Sequence, residues 1–277
     1  MKQKLEFYKL QANGNDFILI DEFKEIVIPD GEKAKFAVKY CNRRFGIGGD
    51  GVLFLGSSEI ADLKMRLFQQ DESEAEMCGN GVRCLVKHAI DKGYVKLGRC
   101  TVETLAGVIA VETRRELGKI LAKVNIGKPK FDCKSIPALG EGEFLEREVE
   151  GYKISAVNTG VPHAVIFVSD LEFPINTIAP KIRYSKVFPK GANVNFVKLE
   201  EKSLRIRTYE RGVEDETLSC GTGAVASAAI ANRLGLIGNE VDVYTKGGLL
   251  RIFLKDGNAY LEGTCETVYR GEIMENV

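Results

Sequence analysis

Two cysteines stand at the head of matching strings. Cys78-Gly79-Asn80-Gly81 and Cys220-Gly221-Thr222-Gly223 each follow an acidic loop and open an apolar run that reads as a helix. In a helix's first turn the backbone N–H groups are unpaired and the dipole favours negative charge. Such a setting can lower a thiol pKa from about 8.5 to about 3.5–7.5, and it equally suits a bound carboxylate. The glycines at 79, 81, 221 and 223 let a ligand approach the backbone. A carboxylate held between two such helix ends would put its α-carbon between the two sulfurs. Thiolate on one face and thiol on the other could then invert that carbon through a planar carbanion. The helix ends would stabilise the developing enediolate. The expected chemistry is epimerisation or racemisation of an amino acid without a cofactor. No pyridoxal or flavin motif is apparent, although a lone Schiff-base lysine leaves no sequence signature.

The two strings belong to a longer repeat at an offset of 141 or 142 residues. Met65-Arg66-Leu67-Phe68 matches Ile206-Arg207-Thr208-Tyr209, and Gly49-Asp50-Gly51-Val52 falls on Gly191-Ala192-Asn193-Val194. Downstream, Gly93 matches Gly235, and Thr104–Gly107 matches Thr245–Gly248. This many matches in order point to a duplication into two domains of ordinary size. Short runs rich in Val, Ile and Phe read as strands, among them 17–21, 52–55, 164–168, 193–199, 241–244 and 249–254. Each half shows one clear helix, near 81–92 and 223–234, stopped by Gly93 or Gly235. The second is apolar or small almost all round, from Ala224 to Ala231, so it must be buried on every side. The expectation is an α+β protein of two pseudo-symmetric domains, each a mainly antiparallel curled sheet around a central helix. The Pro- and Gly-bearing stretch 128–151 is the natural crossing. It divides 1–128, carrying Cys78, from 129–277, carrying Cys220, with the C-terminal tail a candidate to return to the first domain.

Composition bounds the alternatives. The 277 residues carry 39 basic and 39 acidic side chains, so no net field points toward nucleic acid or an anionic membrane. No apolar stretch is long enough to span a bilayer, and the N-terminus lacks a leader pattern, so a cytoplasmic location is expected. Seven cysteines without an export signal read as reduced thiols, most of them small buried residues.

These motifs resemble the diaminopimelate epimerase family along nearly the whole chain. They include Gly14–Phe17 (GNDF), Arg44–Gly51 (RFGIGGDG), Met77–Cys84 (MCGNGVRC), Thr159–Val165 (TGVPHAV), Tyr209–Gly212 (YERG) and Glu216–Ala224 (ETLSCGTGA). The resemblance implies two pseudo-symmetric domains, no cofactor, a homodimer, and interconversion of LL- and meso-diaminopimelate in lysine and peptidoglycan precursor synthesis. It makes Cys78 and Cys220 the acid–base pair and gives His163 and Glu210 a part in setting thiol protonation. Gly79, Asn80, Gly221 and Thr222 would donate backbone hydrogen bonds to the reacting carboxylate. Asn15, Gln69, Asn193, Glu210 and Arg211 would bind the rest of the substrate, Arg211 as a bidentate partner of the distal carboxylate. Gln69 and Val161 replace asparagines of the commoner family pattern, and Gly51 stands where some members have glutamine.

Other readings compete. Cys84 reads as core, whereas a zinc site of Cys78, Cys84 and His88 would lack a completing pair of ligands. His88 reads as solvated, His163 alternatively as a structural histidine, and Glu210-Arg211 as an ion pair. Asn15 could serve the turn that Asn13-Gly14 signals. The acidic runs 71–76 and 214–216 read as solvent-facing. Functional rivals are a proline or hydroxyproline racemase, a thiol redox protein and a non-catalytic carboxylate-binding module.

Overall fold

In a computed structural model, which describes residues 3–275, the chain forms two compact units. The first runs to Val124 and takes the chain back from Gly263; the second is Asn125–Glu262.

The first unit contains β1 (Gln3–Ala12), β2 (Asn15–Glu22), α1 (Lys33–Cys41), β3 (Gly51–Gly56) and β4 (Leu63–Phe68). It continues with α2 (Gly79–Asp91), β5 (Arg99–Thr104), β6 (Gly107–Glu116) and β7 (Lys119–Gly127). The second has β8 (Arg147–Val149), β9 (Tyr152–Asn158), β10 (Pro162–Phe167), α3 (Ile175–Arg183), β11 (Asn193–Leu199) and β12 (Ser203–Glu210). Then follow β13 (Asp215–Thr217), α4 (Gly221–Arg233), β14 (Glu240–Thr245), β15 (Gly248–Lys255) and β16 (Asn258–Thr264). The last strand, β17 (Glu266–Glu275), pairs antiparallel with β1 in the first unit.

The pairing pattern is written twice. From β17 through β1, β2, β3, β4, β5, β6 to β7 the neighbours run antiparallel, antiparallel, parallel, antiparallel, parallel, antiparallel, antiparallel. From β8 through β9, β10, β11, β12, β14, β15 to β16 the series is the same. The duplication seen in the residues is therefore also a duplication of topology.

Each of the six extended runs lies on a strand, except that Val168 falls just past β10. The single-helix expectation falls short: α1 and α3 add a second helix to each unit. Both are nine residues long, and Pro180 inside α3 disguised its pattern. Each helix buries one stripe, Phe36, Ala37, Tyr40 and Cys41 in α1, and Ile175, Ala179 and Ile182 in α3.

The central helix of each unit is held at both ends. Gly93 and Gly235 adopt φ of +75° and +74°, which lets the next residue's N–H reach back to close the last turn. Tyr94 N–H donates to Ala89 O and Leu236 N–H to Ala231 O, both at 2.9 Å. Residues 223–231 of α4 are all buried, and the helix touches β9, β10, β11, β12, β14 and β15. Only a face of alanines lets strands approach a helix from so many sides at interior density. Ala228→Leu should therefore cost about 1–3 kcal/mol through overpacking. Urea denaturation would register this as a lower midpoint; an unchanged midpoint would mean that the sheet has slack around α4.

Candidate active site

In the first unit, Cys78 is the N-cap of α2 in extended backbone geometry (φ −146°, ψ 112°). Its sulfur accepts the Gly81 N–H at 3.4 Å and lies 3.8 Å from Asn15 Oδ1, to which a thiol donates. A donor suits the thiolate and an acceptor suits the thiol, so both protonation states find a partner. The Asn13-Gly14 turn, with φ of 53° and 83°, joins β1 to β2 and delivers Asn15 to this place. Asn15 Nδ2 donates to Asp50 Oδ2 at 2.6 Å, and Asn80 Nδ2 donates to Asn15 Oδ1 at 3.2 Å. Asp50 is in turn paired with Arg43 at 2.7 Å.

Behind Asn80 lies Arg83, fully buried. It donates to Asn80 Oδ1, to Asn13 Oδ1 at 3.0 Å and to Thr264 O at 2.9 Å, all neutral acceptors. Burial pulls its pKa down from the ordinary guanidinium value, against the opposing effects of Cys265, Cys84 and Cys78. Asp50, Arg43 and Arg83 were not singled out in the sequence; the one available signal was an arginine inside an apolar helical run.

The solvated reading of His88 is wrong. Its Nε2 lies 3.0 Å from Asp21 Oδ2, its ring packs on Tyr8, and it is buried. The period of α2 puts residue 88 on the sheet side, where Asp21 of β2 supplies its partner. Cys84 is buried, and its thiol is pushed well above the usual value, first by burial and then by its neighbour Cys265. Gln69 is exposed on the loop after β4, where its Oε1 accepts from Ser73 at 3.0 Å. A Cβ at Gly51 would come within 2.7 Å of Leu67 Cδ1, so this backbone sits too close to β4 for a side chain.

The second unit repeats the cap with different neighbours. Cys220 caps α4 (φ −111°, ψ 107°), and its sulfur lies 3.4 Å from Thr222 Oγ1. Thr159 donates to Thr222 O at 3.0 Å, tying the TGVPHAV segment to the helix start. His163 is completely buried between two asparagines of β11. Thr208 Oγ1 donates to Asn195 Oδ1 at 3.0 Å, which turns Asn195 Nδ2 toward His163 Nδ1, also at 3.0 Å. This assigns Nδ1 as acceptor and puts the proton on Nε2. Asn193 lies 3.5 Å from Nε2, and its Oδ1 accepts the Arg211 N–H at 2.7 Å. Arg211 Nη1 donates to Lys190 O at 3.1 Å. Glu210 ends β12 opposite Asp215. Asn195 and Thr208 were missed; Asn195 follows Asn193 by two on one strand, so the two share a face. A Cβ at Gly223 would run into Asn195 Oδ1, which explains the glycine at this helix turn.

The structure thus gathers Asn15, Cys78, Gly79 and Asn80 in one unit, and His163, Asn193, Arg211, Cys220, Gly221 and Thr222 in the other. The acidic runs are not wholly solvent-facing. Glu74 meets Arg66 at 2.6 Å, and Glu216 meets Arg207 at 2.6 Å and Lys246 at 2.7 Å. None of the seven cysteines is in a disulfide.

Burial, reinforced by the nearby Arg211 charge, pushes His163 from 6.5 down to about 3. Between those values the unfolded chain binds a proton that the folded one does not. Stability should therefore fall as pH drops below 6.5, by up to about 1.4 kcal/mol per pH unit from this group. In urea titrations at several pH values, His163→Asn should show a shallower acid loss than the parent protein. Equal slopes would mean that His163 already titrates normally.

The sequence profile described as diaminopimelate epimerase matches residues 7–131 and 155–272. A diaminopimelate epimerase of Methanothrix thermoacetophila is 58% identical over 99% of this chain and 98% of its own length. Another, from Methanocella arvoryzae, is 58% identical over 98% of this chain and 97% of its own length. Among solved structures, a phenazine biosynthesis protein of the PhzF family from Bacillus anthracis shares the fold (TM-score 0.74, 19% identity), covering 99% of this chain and 100% of its own. A hydroxyproline epimerase from Agrobacterium vitis shares it too (TM-score 0.66, 15% identity), covering 98% of this chain and 91% of its own. With two N-cap cysteines set in a duplicated α+β fold, and with identity running nearly end to end, the chain belongs to the diaminopimelate epimerase family.

Proposed function

We infer that the protein is an isomerase that interconverts LL- and meso-diaminopimelate by moving a proton at one α-carbon between Cys78 and Cys220. The observation that carries this reading is the duplicated N-cap thiol, one at the head of each central helix. One sulfur removes the α-proton as thiolate; the other, as thiol, returns a proton to the opposite face. The backbone N–H groups of Gly79, Asn80, Gly221 and Thr222 bind the reacting carboxylate and stabilise the charge that spreads onto it.

Asn15, Gln69, Asn193, Glu210 and Arg211 recognise the remaining polar groups. Gln69 keeps the amide of the commoner asparagine on a longer arm, while Val161 offers no side-chain hydrogen bond. A histidine held neutral orients a neighbouring amide better than it accepts protons, so His163 acts by placing Asn195. We assign no cofactor, a cytoplasmic location, a place in lysine and peptidoglycan precursor synthesis, and a homodimer as the assembly.

In D2O with LL-diaminopimelate, the reduced protein should form the meso isomer with solvent deuterium at one α-carbon. No exchange by folded, reduced protein would refute the epimerase reading. Cys78→Ala and Cys220→Ala should each lower the epimerisation rate by about 10²–10⁴-fold. Full activity in either would exclude the two-thiol scheme. Activity that instead tracks a reversible disulfide between the two would favour thiol redox chemistry.

A further inference from the structure

The loop leading into each cysteine is pinned by an arginine on the preceding strand. Arg66 of β4 grips Glu74 with Nε to Oε1 at 2.6 Å and Nη2 to Oε2 at 2.8 Å. Arg207 of β12 grips Glu216 in the same bidentate way, at 2.6 and 2.7 Å. Glu74 lies opposite Phe68 and Glu216 opposite Tyr209, in each case two residues beyond the arginine. Both are the diagonal cross-strand pairs that share one face of a sheet. Both glutamates stand four residues before a cysteine, Cys78 or Cys220.

The arginines are anchored in their turn. Arg66 Nη1 reaches Asp30 at 2.9 Å and its guanidinium lies over Phe68. Arg207 Nη1 donates to Leu171 O at 2.6 Å and Phe173 O at 2.7 Å. The Arg66–Glu74 side chains are 25% and 18% exposed, and those of Arg207–Glu216 are 16% and 11%, too sheltered for ordinary surface pairs. Divergence has replaced many neighbours of the two thiols, yet this geometry is the same on both sides.

We propose that Arg66–Glu74 and Arg207–Glu216 are positioning clamps, one per thiol, that fix the chain entering each capped helix so that its sulfur meets the reacting carbon. The proposal rests on the two-thiol reading above. Neither pair is among the residues assigned to the substrate. Each holds the chain four residues before Cys78 or Cys220, through an isolated bridge at Glu74 and the short strand β13 at Glu216. The arginine's planar fork fixes direction as well as distance.

The test is crossed. Glu74→Ala and Glu216→Ala should each lower kcat about 10- to 100-fold, since small misplacement of a reacting group costs that much, with KM within about a factor of two. Iodoacetamide labelling, followed by peptide mass spectrometry, should speed up at Cys78 alone in Glu74→Ala and at Cys220 alone in Glu216→Ala. Glu74→Gln and Glu216→Gln keep one acceptor oxygen for the arginine and should show smaller shifts at the same thiol. They serve as the test if an alanine variant does not fold. Unchanged labelling, or an equal change at both thiols, overturns the proposal. So does unchanged kcat in all four variants. Absence of deuterium exchange in the parent protein would instead defeat the epimerase reading, while the labelling arm would still decide whether the clamps hold the thiols.

Discussion

A cysteine at the N-cap of a helix is the feature around which each half of this protein is arranged. Cys78 and Cys220 both leave the helical backbone angles in extended geometry, and the Cys78 sulfur accepts the Gly81 N–H. Most of what surrounds them enforces that position. The two-residue turn at Asn13-Gly14 brings Asn15 to Cys78, and Thr159 ties a strand end to the helix that Cys220 opens. The glycine three residues after each cysteine sits in a crowded place, most severely at Gly223, where a Cβ would run into Asn195 Oδ1. At Gly81 a side chain would meet Leu53 at 3.1 Å, and at Gly223 the Cys220 Cβ at 3.3 Å.

The duplication has been kept where direction matters and abandoned where chemistry differs. The series of strand pairings, both helix ends and both arginine–glutamate pairs recur across the repeat. The groups beside the sulfurs do not. Cys78 has an amide network running from Asp50 through Asn15 and Asn80 to a buried guanidinium. Cys220 has Thr222 beside it, and its unit buries a neutral histidine held by Asn195. An epimerase that works on a substrate with one fixed distal centre has no need of identical halves.

Much of this could be read from the residues. The repeat isolated two cysteines from seven, and the glycine spacing placed them at helix starts. The alanine run from Ala224 to Ala231 announced a helix enclosed by strands. What escaped notice depends on tertiary placement. The short α1 and the proline-bearing α3 had too few turns for periodicity to stand out. His88 reads as polar surface until Asp21 of β2 is seen opposite it. Arg83 and Asn195 act through other side chains, and spacing carries no signal for that. Glu74 and Glu216 looked like loop charge because their arginine partners lie on a strand eight and nine residues earlier.

The buried guanidinium of Arg83 faces only neutral oxygens, while the corresponding position of α4 is the buried, apolar Val225. The two cores therefore obey different rules of inheritance. Around α4 a substitution is judged by its volume, and at the alanine positions only residues of about that size fit. Around Arg83 it is judged by how many donors it can aim, and no other side chain presents that fork.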